Sequence, residues 1–179
     1  NITENKTYKA GWLGTEYTVT FDYGDGTTTN KEVRNEGLYG ELPSASKEGH
    51  TFLGWYDENG NKIESTTRVE LTEDQRLYAK YQVNTYTVTF YNDDQSVITT
   101  VTVEYGKDAT YEGQEPNKVN VTPGYKAIFT GWNDETVLKE VKQDVSVIAT
   151  YTESPIIYTI EYKNLNGSDN SQNPTSYTV

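Results

Sequence analysis

Tyr17-Thr18-Val19-Thr20-Phe21 returns as Tyr86-Thr87-Val88-Thr89-Phe90 and again as Tyr158-Thr159-Ile160-Glu161-Tyr162, with starts 69 and 72 residues apart. In each copy large apolar residues alternate with polar ones. That period of two puts one set of side chains on one face of a half-buried strand. Two further markers keep the same order. Phe52-Leu53-Gly54-Trp55 is matched by Ile128-Phe129-Thr130-Gly131-Trp132. An 11-residue segment ending in an aromatic occurs three times, over 2–12, 71–81 and 141–151, with Ala10, Ala79 and Ala149 at its ninth position. Recurrence of three markers at nearly one period is the signature of a repeat array.

The repeats divide the chain. Residues 1–14 read as the closing strand of a preceding repeat, 15–83 as repeat 1, 84–153 as repeat 2, and 154–179 as the opening strands of a following repeat. The two complete copies differ in their connections. From the leading Tyr to the Gly-Trp tryptophan there are 38 residues in the first copy and 46 in the second; from that tryptophan to the closing segment there are 16 and 9. Insertions of this kind belong in surface loops.

Within each copy the signals are those of strands and turns. Asp25-Gly26 after the first strand and Asn59-Gly60 after the third mark hairpins. Partner strands are expected over 29–34 and 97–104, where Val97, Thr99, Val101 and Val103 share one face. Further strands are expected over 51–56, 62–64, 76–82 and 146–152. No segment sustains a helical period, which leaves room only for a short helix near 37–42 and again near 108–113. The fold class is mainly β with a minor α+β character: tandem units of about 70 residues with antiparallel sheets.

Composition agrees. Hydrophobic residues make up 34% of the chain, but 16 Tyr and 27 Thr carry much of the rest. Both types suit a pleated surface with one wet face, so several small cores are expected. The net charge is −12 with no basic run. Phosphate neutralisation drives nucleic-acid binding, so that partner is not expected, nor is an anionic lipid surface. No stretch of 18 apolar residues suggests membrane insertion.

Chemistry is thin. There is no Cys and a single His, which removes thiol nucleophiles and ordinary zinc sites. His50 sits where the sister repeat carries Tyr125, which points to packing or a turn. Paired carboxylates could serve a glycosidase, but Asp57 with Glu58 and Asp93 with Asp94 lie in turns, where Asp is common. The 22–26 and 57–61 loops offer oxygens to calcium, yet lack the full loop spacing and read as plain hairpin turns. No cofactor or metal is expected. Gly54, Trp55, Gly131, Trp132, Ala79 and Ala149 are read as a structural signature. Trp12 aligns with Tyr81 and Tyr151. The candidate binding residues are tyrosines expected to be exposed on loops: Tyr39, Tyr56 and Tyr111.

At these markers the chain resembles the Listeria–Bacteroides repeat family. The resemblance rests on Tyr17 to Phe21, on Gly49-His50-Thr51-Phe52-Leu53-Gly54-Trp55-Tyr56 and on Leu77-Tyr78-Ala79-Lys80-Tyr81. Leu165-Asn166-Gly167 and Asn173-Pro174-Thr175-Ser176-Tyr177 resemble a repeat opening. Repeat 2 departs more, with Gly124-Tyr125-Lys126-Ala127-Ile128-Phe129 before its Gly-Trp. The resemblance implies β-grasp-like units in secreted or wall-attached bacterial surface proteins, such as those of Gram-positive cells. It implies no reaction. Two roles remain open: a stalk or spacer, and an adhesion module for a host protein or glycan. End-to-end self-association through the terminal half-repeats is a further expectation.

Overall fold

The computed structural model describes residues 14–163, 172 and 174–178. The markers at Ala10 and Trp12, the closing strand assigned to 1–14 apart from Gly14, and 165–167 lie outside the described residues. The chain divides into two compact units, Asn1–Val83 and Asn84–Val179.

Unit 1 is one mixed sheet. Its strands are β1 (Glu16–Asp22), β2 (Thr28–Arg34), β3 (His50–Tyr56), β4 (Lys62–Ile63) and β5 (Gln75–Val83), in spatial order β2-β1-β5-β3-β4. Unit 2 repeats the plan with β6 (Thr85–Tyr91), β7 (Val97–Glu104), β8 (Tyr125–Trp132) and β9 (Val145–Pro155), in order β7-β6-β9-β8. It also holds a two-stranded sheet of β10 (Ile157–Thr159) and β11 (Ser176–Thr178). The expected antiparallel pairs form, but the leading and closing strands run parallel. β1 pairs with β5 from Val19↔Gln75 to Asp22↔Tyr78, and β6 with β9 from Val88↔Val145 to Tyr91↔Ile148.

The alternation in the leading strands sets the cores. Val19, Phe21, Leu77, Val69 and Trp55 are buried in unit 1, and Val88, Phe90, Val147 and Val141 in unit 2. Hydroxyl-bearing neighbours such as Thr18 and Thr20 take the opposite face. Asp74 Oδ1 accepts the Thr18 amide at 2.8 Å, and Asp144 Oδ1 accepts the Thr87 amide at 2.8 Å. These equivalent ties anchor each closing strand to its leading strand.

The Gly-Trp marker is a β-bulge. Phe52 pairs with Tyr81 but Gly54 already pairs with Lys80, so Leu53 is the extra residue. In a regular strand, positions 52 and 55 would face opposite sides. The bulge turns both inward, and Phe52 and Trp55 meet edge to face at 5.6 Å. Phe129, Gly131 and Trp132 repeat the device, with rings 5.3 Å apart. The bulge glycines sit at φ +130° and +121°, a region that residues with a Cβ rarely adopt.

Two local expectations fail. No helix forms near 37–42 or 108–113. There the backbone bonds to distant segments instead: the Val69 amide donates to Gly37 O, and the Ala109 amide to Leu138 O. The one helical turn among the described residues is 3₁₀, at Thr136–Leu138, and Asp134 Oδ1 accepts the Thr136 amide in front of it. Val97 does not share the face of Val103. A bulge between Phe90 and Tyr91 shifts the register, and Val97 emerges 57% exposed.

One sister pair offers a stability test. Glu36 and Gly106 follow the second strands of their units, and both have positive φ, 71° and 74°. Their amides donate to the equivalent Val69 and Val141 carbonyls. Nothing lies within 4 Å of a Cβ built on Gly106, so Gly106→Ala pays only the conformational cost. We expect a loss of about 1 kcal/mol in unit 2 by urea denaturation. Glu36→Gly has the opposite sign, a gain of a few tenths of a kcal/mol, since it also gives up an exposed ion pair to Arg68.

Candidate functional site

The three tyrosines expected on loops are not free. Tyr39 is 3% exposed and packs in the unit 1 core. Its hydroxyl donates to Gln75 Oε1 at 2.6 Å, and burial raises its phenol pKa. Tyr56 is half-buried beneath the Lys80 ammonium, 4.2 Å from the ring centroid. Tyr111 is half-buried against Phe90 and Trp132, at 5.2 and 5.0 Å, and its hydroxyl donates to Gln114 O. Tyr39 and Tyr111 share a reason: units of this size with few aliphatic residues recruit tyrosine rings to fill their cores. Tyr39 and Tyr56 belong to unit 1 and Tyr111 to unit 2.

The signature residues divide more finely. Trp55 is 1% exposed and its indole N–H donates to Pro43 O at 2.8 Å. Trp132 is only half-buried, though it makes the equivalent contact to Phe90 at 4.8 Å. Ala79 and Ala149 pair across the sheet with Trp55 and Trp132, respectively. A small residue there leaves room for the indole.

The carboxylates weighed for acid–base work are engaged in turns. Asp57 accepts from the Asn61 amide and side chain at 2.7 and 2.9 Å. Asp94 accepts from the Ser96 hydroxyl and amide at 2.5 and 3.0 Å. These bonds lower both pKa values, the side-chain donors contributing most, whereas a general acid needs the reverse. Asp93 receives the Val119 and Asn120 amides. His50 has its Nδ1 2.7 Å from Glu48 O and its ring against Tyr81. In the 22–26 loop, Asp22 accepts from Gly24 N and Asp25 from Thr27. Among the described residues no three His, Asp or Glu side chains converge as metal ligands. A cleft in unit 1 is lined by Asp57, Glu58, Glu73, Asp74, Arg76 and Tyr78. Asp74 is tied to Thr18, and Arg76 to Asp22 at 2.9 Å.

The longer connection of repeat 2 is where side chains converge. Asn92 is buried at the end of β6. It donates to Asn117 O at 2.9 Å and accepts from the Tyr151 hydroxyl at 2.6 Å. Lys118 Nζ reaches Glu153 Oε1 at 2.5 Å and Asn120 O at 2.7 Å, and Glu153 also accepts the Thr122 amide at 3.2 Å. So braced, the loop presents Val119 at 53% and Val121 at 38% exposure. Sequence reading placed the insertion but not these two residues, because isolated valines in a polar segment give no periodic signal.

Hydrogen bonds from Lys118 and Thr122 hold the Glu153 carboxyl at about 2, below its usual 4.5. A depressed folded pKa contributes stability that is present above the unfolded value and lost as pH falls through the folded one. Unit 2 should therefore lose melting temperature between about pH 4.5 and 2. Glu153→Gln should flatten that stretch of the pH profile while leaving unit 1 unchanged, which thermal melts across the range would read.

The sequence profile of the Listeria-Bacteroides repeat domain matches residues 17–80 and 86–154. A putative membrane protein of Evansella cellulosilytica is 38% identical over 144 residues, covering 78% of this chain and 20% of that protein. Internalin H of Listeria monocytogenes serovar 1/2a is 38% identical over 120 residues, covering 66% and 20%. The chain thus spans about a fifth of the curated relatives it matches. Among solved structures, domains 3-4 of the streptococcal high identity repeats in tandem from a cell surface protein overlap 78% of this chain and 99% of that one, at 13% identity and a TM-score of 0.32. With both of its complete copies matched, this chain belongs to the Listeria-Bacteroides repeat domain family.

Proposed function

We propose that this chain is a non-catalytic spacer segment of a bacterial cell-surface protein. The observation that carries the reading is the commitment of the polar groups in both units. The carboxylates that could do chemistry instead accept backbone amides, cap turns or tie a closing strand to its leading strand. The surface-protein context is carried over from the relatives, a putative membrane protein and internalin H, and the net charge of −12 suits a solvated exterior.

A second reading, adhesion, is favoured by one feature, the braced loop with Val119 and Val121. Aliphatic branches offer a sugar neither a flat ring nor a hydrogen bond, so this loop suits a protein partner better than a glycan. Surface plasmon resonance against immobilised fibronectin, collagen, fibrinogen and a glycan array separates the two. Silence across that panel supports the spacer. Saturable binding lost in Val119→Asp with Val121→Asp, at unchanged melting temperature, replaces it with adhesion.

A further inference from the structure

We propose that each unit is built to bear tension along the chain, with its leading and closing strands forming a clamp loaded in shear. The proposal deepens the spacer reading and rests on it.

The topology carries the argument. Among the described residues of unit 1 the sheet begins at β1 and ends at β5, and these two strands are adjacent and parallel. In unit 2 the same holds for β6 and β9. Tension draws the leading strand toward its N-terminus and the closing strand toward its C-terminus. In a parallel pair those directions oppose along one axis, so the strands must slide past each other. Their hydrogen bonds run across that axis, and sliding strains all of them together. An antiparallel pair of terminal strands would instead open from one end, a bond at a time. β2, β3 and β4, or β7 and β8, lie outside the load path.

Three details reinforce the clamp. The Asp74–Thr18 and Asp144–Thr87 bonds extend each pairing by one charge-assisted link below Val19↔Gln75 and Val88↔Val145. Val19, Phe21 and Leu77, and Val88, Phe90 and Val147, are at most 1% exposed, which keeps water from competing on the inner side. The clamp also has the same four-pair register in both units, although the connections around it differ by up to eight residues. Forced unfolding is governed by the unfolding barrier rather than by equilibrium stability, so resistance and stability should be separable.

The test is atomic-force pulling on the full chain. Held by its two ends, it should give two rupture events, each releasing about 20 nm of chain. The protein has no cysteine, so Asp25→Cys with Gln82→Cys provides attachment points at one end of the unit 1 clamp, where the load peels instead of shears. Asp94→Cys with Thr152→Cys does the same in unit 2, should the first variant not fold. We expect end-to-end rupture forces several-fold above the peeling forces. Asp144→Ala should lower the shear force of unit 2, while Gly131→Ala, in β8, should lower its urea midpoint with little change in force. Equal forces in the two directions would overturn the clamp. So would a unit 2 force that follows Gly131→Ala as closely as Asp144→Ala. Discovery of a ligand would remove the spacer reading without altering the force ratio, so the two fail separately.

Discussion

Trp55→Ala should unfold unit 1 under conditions in which unit 2 stays folded. The indole is the largest fully buried side chain described. It contacts Phe21 at 4.8 Å, Tyr23 at 5.2 Å and Phe52 at 5.6 Å, and donates to Pro43 O. Removing a buried tryptophan costs about 3–5 kcal/mol in transfer and cavity terms. A unit of this size has roughly 4–10 kcal/mol in total, so much or all of its stability goes. Trp132→Ala should cost less, because that ring is only partly buried and loses less burial. Urea denaturation followed by circular dichroism reads both, since each unit should give its own transition. Equal losses at the two positions would mean that the two cores are more alike than their burial indicates.

Gly54→Val is expected to cost about 2–3 kcal/mol in unit 1, nearly all of it from the backbone. At φ +130° a β-branched residue is strained whatever surrounds it. A Cβ there would also meet Lys62 Cε at 2.7 Å, but that contact is with a flexible side chain. The two causes separate in the Lys62→Ala background. If backbone strain dominates, the loss persists; if the contact dominates, Lys62→Ala restores stability. The consequence reaches beyond energy, because flattening the bulge would turn either Phe52 or Trp55 out of the core. Tryptophan fluorescence should shift to the red as stability falls.

Much of the fold is legible in the chain itself. Tyr17 to Phe21 and Tyr86 to Phe90 determine strands, their buried face and the repeat, because a period of two is a local property; of the third copy only Tyr158 and Thr159 lie in a strand, and that strand is exposed. The turn chemistry at Asp25-Gly26 and Asn59-Gly60 is local too, and both hairpins form where those residues lie. The family follows from the same markers. What the sequence leaves open is decided by partners distant in the chain. That β5 runs parallel to β1 depends on where the chain returns after more than fifty residues. That Phe52 and Trp55 share a face depends on one extra residue opposite Tyr81 and Lys80. Tyr39 lies in a polar stretch and reads as a loop contact. It is buried because the closing strand brings Gln75 to its hydroxyl and the core needs the volume of its ring. Val119 and Val121 are presented because Asn92, Asp93 and Glu153 hold the backbone beside them. Strand and turn are set by neighbours one to four residues away; pairing direction, the faces beyond a bulge, burial of amphipathic rings and loop bracing are set only when the sheet closes.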